Sequence, residues 1–308
     1  MSDSPHIPVL LDAVLESFSH CSEGYIVDCT LGYAGHSTAI LTHEDHLRIV
    51  GIDRDEEALA FSRQKLQAYA GRYVLYKGSF AQTITEIREK PIVGILADFG
   101  VSSLQLDKKE RGFSFESETL DMRMDREASL TAYDIVNGYS LEQLHYIFRH
   151  YGEISQAEKL AEEILRVRTC SPIDSGKALS DIAKKVLYSG GKIHPATLMF
   201  QAIRIEVNDE LGQIEGLLDA LEEIRPPAAI LSLITFHSLE DRLVKNRFKR
   251  WSTVCICDPH ALRCTCGKTH ALGKALSRKP IIADTKERVT NPRSRSAKLR
   301  SFRFREAE

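Results

Sequence analysis

Apolar positions along the chain follow two alternating rhythms. "YIVDCT" (25–30), "LRIVGID" (47–53), "RYVLYKG" (72–78) and "IVGILAD" (92–98) are short apolar runs, the pattern of strands buried on both faces. Between them, "HSTAILTH" (36–43) and "DEEALAFSRQKLQAYA" (55–70) read as helices. Strand–helix alternation of this kind predicts an α/β fold, a parallel sheet with helices on both sides. The rhythm breaks after Asp98, and a polar, irregular segment runs to about Asp125. From there only helical patterns follow: "SLEQLHYIFRHY" (140–151), "EKLAEEILRVRT" (158–169), "KALSDIAKKVLY" (177–188) and "FQAIRIEVNDELGQIEGLLDALEEI" (200–224), the last stopped by Pro226 and Pro227. "AAILSLITF" (228–236) then resumes the strand pattern and "SLEDRLVKNRFKRW" (238–251) the helical one. The simplest organisation is a sheet domain interrupted by an inserted helical domain, divided as 1–107, 108–210 and 211–308.

Composition adjusts this picture little. Of 308 residues, 43% are hydrophobic and 27% charged, which fits a soluble protein with a real core. The net charge is only −2, so any nucleic-acid binding must come from a local patch. No stretch approaches the roughly 18 apolar residues of a membrane span, and "MSDSPHIPVLL" lacks the basic start of a signal peptide. Seven unevenly placed cysteines fit a reduced, cytoplasmic compartment. Basic charge is concentrated near the end. Residues 286–305 hold eight Lys/Arg against the single acid Glu287, and five more lie in 242–250. Phe302 and Phe304 alternate with Arg303 and Arg305, which predicts a final strand with one basic face for RNA; a solvated charged face is the alternative.

The candidate chemistry begins at "DCTLGYAGHS" (28–37), a turn with glycines at 32 and 35. In an open parallel sheet, ligands bind beyond the carboxyl ends of the strands, and Asp28, Asp53 and Asp98 end three of the first four. A pyrophosphate there would meet carboxylates at a cost of about 3 kcal/mol each, at ~5 Å and an effective dielectric near 20. The glycine spacing also misses both the dinucleotide fingerprint and the P-loop. A cationic ligand fits better. S-adenosylmethionine carries a sulfonium and an ammonium against one carboxylate, the glycines would let it approach the backbone, and Asp53 is placed for its ribose hydroxyls. A tight turn whose acids only cap helices remains the alternative.

Eight segments together, "DCTLGYAGHS", "GIDRD" (51–55), "DFGVSSLQLD" (98–107), "RGFSF" (111–115), "LDMRMD" (120–125), "HPATLMFQAIRIEVNDEL" (194–211), "FHSLEDRLVK" (236–245) and "NPRSRSAKLR" (291–300), resemble, in order, the bacterial 16S rRNA (cytosine-N4)-methyltransferases, the RsmH or MraW family. The resemblance covers nearly the whole chain. It implies a class I (Rossmann-like) methyltransferase fold with an inserted all-helical domain, S-adenosylmethionine as methyl donor, and methylation of a P-site cytosine, position 1402, within the small ribosomal subunit. By motif it implies a donor site of Ala34, Gly35, His36, Asp53, Phe80, Asp98 and Gln105. Two departures stand out. Ala34 replaces the usual first glycine before the histidine, and Leu104 replaces the usual proline before Gln105.

The exocyclic amine of cytosine is a poor nucleophile, so the enzyme's main task is alignment. A carboxylate accepting one N4 hydrogen would help, and Asp98 is the candidate, with Ser102 and Ser103 in the same loop; donor binding alone is the other reading of Asp98. Attack at C5 would need a cysteine nucleophile; Cys29 reads instead as packing. Ser238 and Asp241 read as a capping box, which puts His237 just before the helix, either at the base or held by the backbone. Arg111, Phe113 and Arg123 are RNA-contact candidates, along with Arg293 and Arg295; the alternative around the first three is that the apolar side chains of the segment only anchor a long loop to the core. Cys255, Cys257, Cys264 and Cys266 read as reduced thiols of a surface loop, because two C-x-C pairs miss the usual structural spacing; a zinc site is the alternative. Two other functions compete: an amino-methyltransferase of DNA, disfavoured by "DFGV" where those enzymes carry a Pro-Pro motif, and a non-catalytic assembly factor, which would need neither Asp53 nor Asp98. The oligomeric state, monomer or homodimer, is left open.

Overall fold

The structure is a computed structural model that describes residues 7–88, 90–101, 105–106, 108–187, 194–258 and 263–307. It divides into two compact units, Met1–Gly100 with Gly212–Glu308, and Val101–Leu211.

The first unit is built on one sheet with the strand order β3-β2-β1-β4-β5-β8-β6. Strands β1 (Gly24–Asp28), β2 (Leu47–Asp53), β3 (Tyr73–Lys77), β4 (Ile92–Asp98) and β5 (Ile230–Thr235) run parallel. β8 (Lys298–Phe304) returns antiparallel against β5. The short strands β6 (Gly273–Ala275) and β7 (Ile281–Ile282) both pair with β8. Every residue of β5 is buried, as its unbroken apolar run requires of a central strand.

Helices cover both faces. α1 (Leu11–Phe18), α2 (Gly35–His43) and α3 (Glu56–Lys65) contribute Phe18, Ile40 and Leu59 to one core. On the other face, α4 (Phe80–Glu86), α10 (Glu210–Ile224) and α11 (Ser238–Trp251) supply Ile84, Leu217 and Trp251. The chain steps from β1 outward to β2 and β3, then returns to the opposite side of β1 for β4. That reversal opens the crevice at the carboxyl ends of β1 and β4 where ligands of such sheets bind.

The second unit is helical, comprising α5 (Ala132–Gly138), α6 (Leu141–His150), α7 (Ala157–Arg168), α8 (Gly176–Val186) and α9 (Thr197–Asn208). They enclose their own core around Phe148, Ile164 and Ile203. Capping boxes at Thr131/Asp134 and Ser140/Gln143 start α5 and α6, each satisfying amides that the first helical turn leaves free.

Two sequence expectations need correction. The pattern over 200–224 is two helices, not one, because Asp209 turns left-handed at φ 49° and separates α9 from α10. The last strand does not present one basic face. Residues two apart share a face, so Lys298 and Arg300 lie on the side of Phe302 and Phe304, and both pair with Asp241 of α11. Arg303 lies on the other side, and Arg305, beyond the strand, donates from Nη1 to the Thr269 carbonyl at 3.1 Å.

Candidate active site

The first turn leaves β1 at Asp28, and its backbone is wound tightly. Gly32 and Ala34 both adopt left-handed conformations, at φ 50° and 53°. For Ala34 this costs roughly 1–2 kcal/mol, so the surrounding contacts must hold it. Asp28 is buried; its Oδ2 accepts from Ser37 Oγ at 2.6 Å and its Oδ1 from the Thr30 amide at 3.2 Å. It is a brace inside the turn, as in the helix-capping alternative. Burial raises its carboxyl above the usual range, opposed by Ser37 and His36. Thr30 Oγ1 in turn accepts the Asp98 amide at 2.6 Å, tying this turn to the end of β4.

Asp53, at the end of β2, is half-buried and accepts from the Gly32 amide at 2.7 Å and the Asp55 amide at 2.8 Å. Burial pushes its carboxyl up to about 6 against those two hydrogen bonds. Gly35 does not serve the purpose that the sequence suggests for it. A Cβ there would stand 2.7 Å from Cγ of Pro8, so the proline ring already occupies the space the glycine opens. Gly32, by contrast, would bring a Cβ within 4 Å of only the Thr30 carbonyl among the described residues, at 3.8 Å; it is the open element of the turn.

His36, in the first turn of α2, and Asp98, at the end of β4, stand together. His36 Nε2 lies 3.7 Å from Asp98 Oδ2, too long for a hydrogen bond. Both ring nitrogens of His36 and Oδ1 of Asp98 are buried without a hydrogen-bond partner among the described residues. An unsatisfied buried polar atom costs about 1–3 kcal/mol, so these three atoms at the switch point of the sheet make it the candidate ligand site. Phe80 opens α4 with its ring 6.2 Å from that of Phe99.

His237 follows β5, the neighbour of β4, and is itself the N-cap of α11. The cap lies one residue earlier than the sequence indicates. Glu240, fully buried, accepts the amides of Phe236 at 2.7 Å and His237 at 3.3 Å, and its Oε1 lies 3.1 Å from His237 Nε2. Asp241 is thereby free of the cap and takes Arg300 Nε at 2.7 Å.

Gln105 is buried in the helical unit, and Ser102, Ser103 and Leu104 lie outside the described residues. Arg111 and Phe113 are not RNA contacts. Arg111 is 2% exposed and donates to the carbonyls of Arg123 and Met124 at 3.0 and 3.1 Å, while Phe113 belongs to the helical core. Arg123 spends its donors on both Asp121 oxygens and on the carbonyls of Arg126 and Ala128. These residues anchor the long loop. Arg293 and Arg295 are exposed on a short 3-10 helix, Pro292–Ser296. Sequence reasoning misses Thr30 and Pro8, because neither residue type signals a ligand site and each acts through a partner distant in sequence.

Among known proteins, the MraW methylase family model matches residues 3–305. Three curated relatives, from a Sulfurovum species, a Nitratiruptor species and Aliarcobacter butzleri, are each named ribosomal RNA small subunit methyltransferase H. They are 66%, 55% and 52% identical to this chain, over 98%, 99% and 98% of its length and 99%, 100% and 99% of theirs. A match across nearly the whole chain, on a sheet whose switch point carries the paired His36 and Asp98, leaves one conclusion: the chain belongs to the MraW methylase family.

Proposed function

We propose that the chain methylates N4 of a cytosine, position 1402, in the 16S rRNA of the small ribosomal subunit, with S-adenosylmethionine as donor. The observation that carries this reading is the His36–Asp98 pair, with three buried polar atoms that find no hydrogen-bond partner among the described residues at the sheet's switch point. The full-length relatives named as rRNA small subunit methyltransferases support the substrate class. The donor supplies a methyl group already activated on a positively charged sulfur.

The chain's own residues then have three tasks. Asp53 accepts hydroxyl hydrogens beside the Gly32 turn, where no described side chain blocks the backbone. Asp98 accepts one N4 hydrogen of the base, which shifts electron density onto nitrogen; His36 faces that carboxylate's other oxygen. His237, positioned by Glu240, borders the same edge of the sheet and orients the base. The work is mostly alignment of nitrogen, methyl and sulfur. Attack at C5 is disfavoured: the buried Cys29 is the cysteine nearest this turn in sequence, and burial pushes its thiol well above the usual range. A thiol so held is not a nucleophile at neutral pH.

Two measurements test this. Nucleoside mass spectrometry of small-subunit rRNA from a strain lacking the gene is expected to lose N4-methylation at one cytosine, and unchanged rRNA would sink the proposal. In the purified enzyme, Asp98→Asn is expected to lower kcat by about a hundredfold or more. A change confined to donor affinity would instead assign Asp98 to the donor alone.

A further inference from the structure

After α11 the chain makes a loop whose base is closed by backbone hydrogen bonds, Leu272 N–H to Trp251 O at 2.8 Å and His270 N–H to Val254 O at 3.3 Å. Cys255 and Cys257 lie on the outgoing limb, Cys264 and Cys266 on the returning one. Within each C-x-C pair the middle residue, Ile256 or Thr265, is exposed while the flanking cysteines are half-buried. Both thiols of a pair therefore turn to the same side, towards the other limb.

The four sulfurs converge. Cys255–Cys264 is 3.7 Å, Cys257–Cys264 3.9 Å, Cys264–Cys266 3.6 Å and Cys255–Cys266 3.6 Å, and all four lie within 4.8 Å of one another. None is in a disulfide. A zinc ion at the centre of four thiolates, with Zn–S of ~2.3 Å, sets the S···S edges at ~3.8 Å. The four measured edges fall at that value. The thiols belong to none of the buried hydrophobic cores, so apolar packing does not account for their meeting. The Thr265 amide donates to Cys257 Sγ at 3.4 Å, the kind of backbone support that steadies a metal-bound sulfur.

We propose that Cys255, Cys257, Cys264 and Cys266 bind one structural zinc ion, closed by four sulfurs. Binding releases the thiol protons to solvent and needs no oxidant. The C-x-C spacing, which argues against a metal when read along one strand of sequence, fits once the pairs are seen to come from facing limbs: each limb supplies two adjacent corners of the tetrahedron. The ion pins a loop that borders a cleft of about 770 Å³, lined by Val254 together with Lys274, Arg278, Arg303 and Arg305. It thereby fixes one wall of a basic recess.

The test uses the full chain, expressed without a metal-binding tag and purified without oxygen. Elemental mass spectrometry is expected to find about one zinc per chain, retained in Cys170→Ser and falling at least about tenfold in Cys255→Ser/Cys264→Ser. Cobalt exchanged into the unmodified chain is expected to show the intense visible absorption of a tetrahedral tetrathiolate, which decides the matter even if the double variant misfolds. A reduced, zinc-supplemented chain free of bound metal overturns the assignment. So does iron in place of zinc, or a double variant that keeps its zinc.

Discussion

Asp53 carries two demands that pull against each other. Burial holds its carboxyl up to about 6, whereas the role proposed for it, accepting hydroxyl hydrogens, favours the ionised form. Because the folded value lies above the unfolded one of about 4, the folded chain retains a proton that the unfolded chain has shed between those values. The fold therefore loses stability as pH rises through that window. Ligand affinity runs the other way, since below about pH 6 the acceptor is protonated. Calorimetry with S-adenosylhomocysteine is expected to show an affinity that is level above ~7 and falls towards tenfold per pH unit below ~6. In Asp53→Asn the affinity is weaker and the profile level; a level profile in the unmodified chain would refute the assignment. Asp53 and Asp98 are legible in the sequence because a strand end fixes where an acid points, whereas His36 is named only by the family resemblance. Gly35 misleads because Pro8, which fills its space, lies far earlier in the chain. Arg111 misleads because its partners are carbonyl groups, which no side-chain pattern reveals.

At the scale of elements, the end of the sheet is locked by α11. Trp251 is 1% exposed, stacks among Phe248, Phe302 and Phe304, and donates from Nε1 to Glu222 at 2.9 Å. Trp251→Ala is expected to cost about 3–5 kcal/mol in urea unfolding; a loss below ~1 kcal/mol would mean the cluster is loosely packed. Asp241 binds Arg300 and Lys298 of β8. Burial alone would raise its carboxyl, but Arg300 and Lys298 hold it below the usual range. A depressed value stabilises the fold above the unfolded value of about 4, and that contribution disappears as pH falls through the folded one. Asp241→Asn is therefore expected to cost about 1–2 kcal/mol near neutral pH, allowing for partial solvent screening, and nothing in strong acid. An equal cost at both would reject the ion pair as its source. Strand and helix identities are readable from apolar spacing. The break at Asp209 is not, because helical spacing continues on both sides of a single left-handed residue.

For the molecule as a whole, a net charge of −2 makes any grip on RNA a local property. Arg293 and Arg295 project into solvent, so Arg293→Ala/Arg295→Ala is expected to weaken RNA binding with little sequence preference. The slope of log affinity against log salt should fall by about 1–2, with S-adenosylhomocysteine binding untouched. An unchanged slope would place the RNA elsewhere. Alternation of strand and helix, and its lapse after Asp98, reveals a sheet with a helical insertion from apolar spacing alone. The convergence of the four cysteine sulfurs does not emerge, because facing limbs cannot be paired from one-dimensional spacing.

The Pro8 that fills the hollow of Gly35 is itself tethered by residues close to the other end of the sequence. The Leu10 amide donates to Glu287 Oε1 at 2.7 Å, and Asn291 Nδ2 donates to the Ile7 carbonyl at 2.9 Å. A lesion that loosens residues 287–291 therefore unseats Pro8 as well, and reaches the Gly35 turn without touching it.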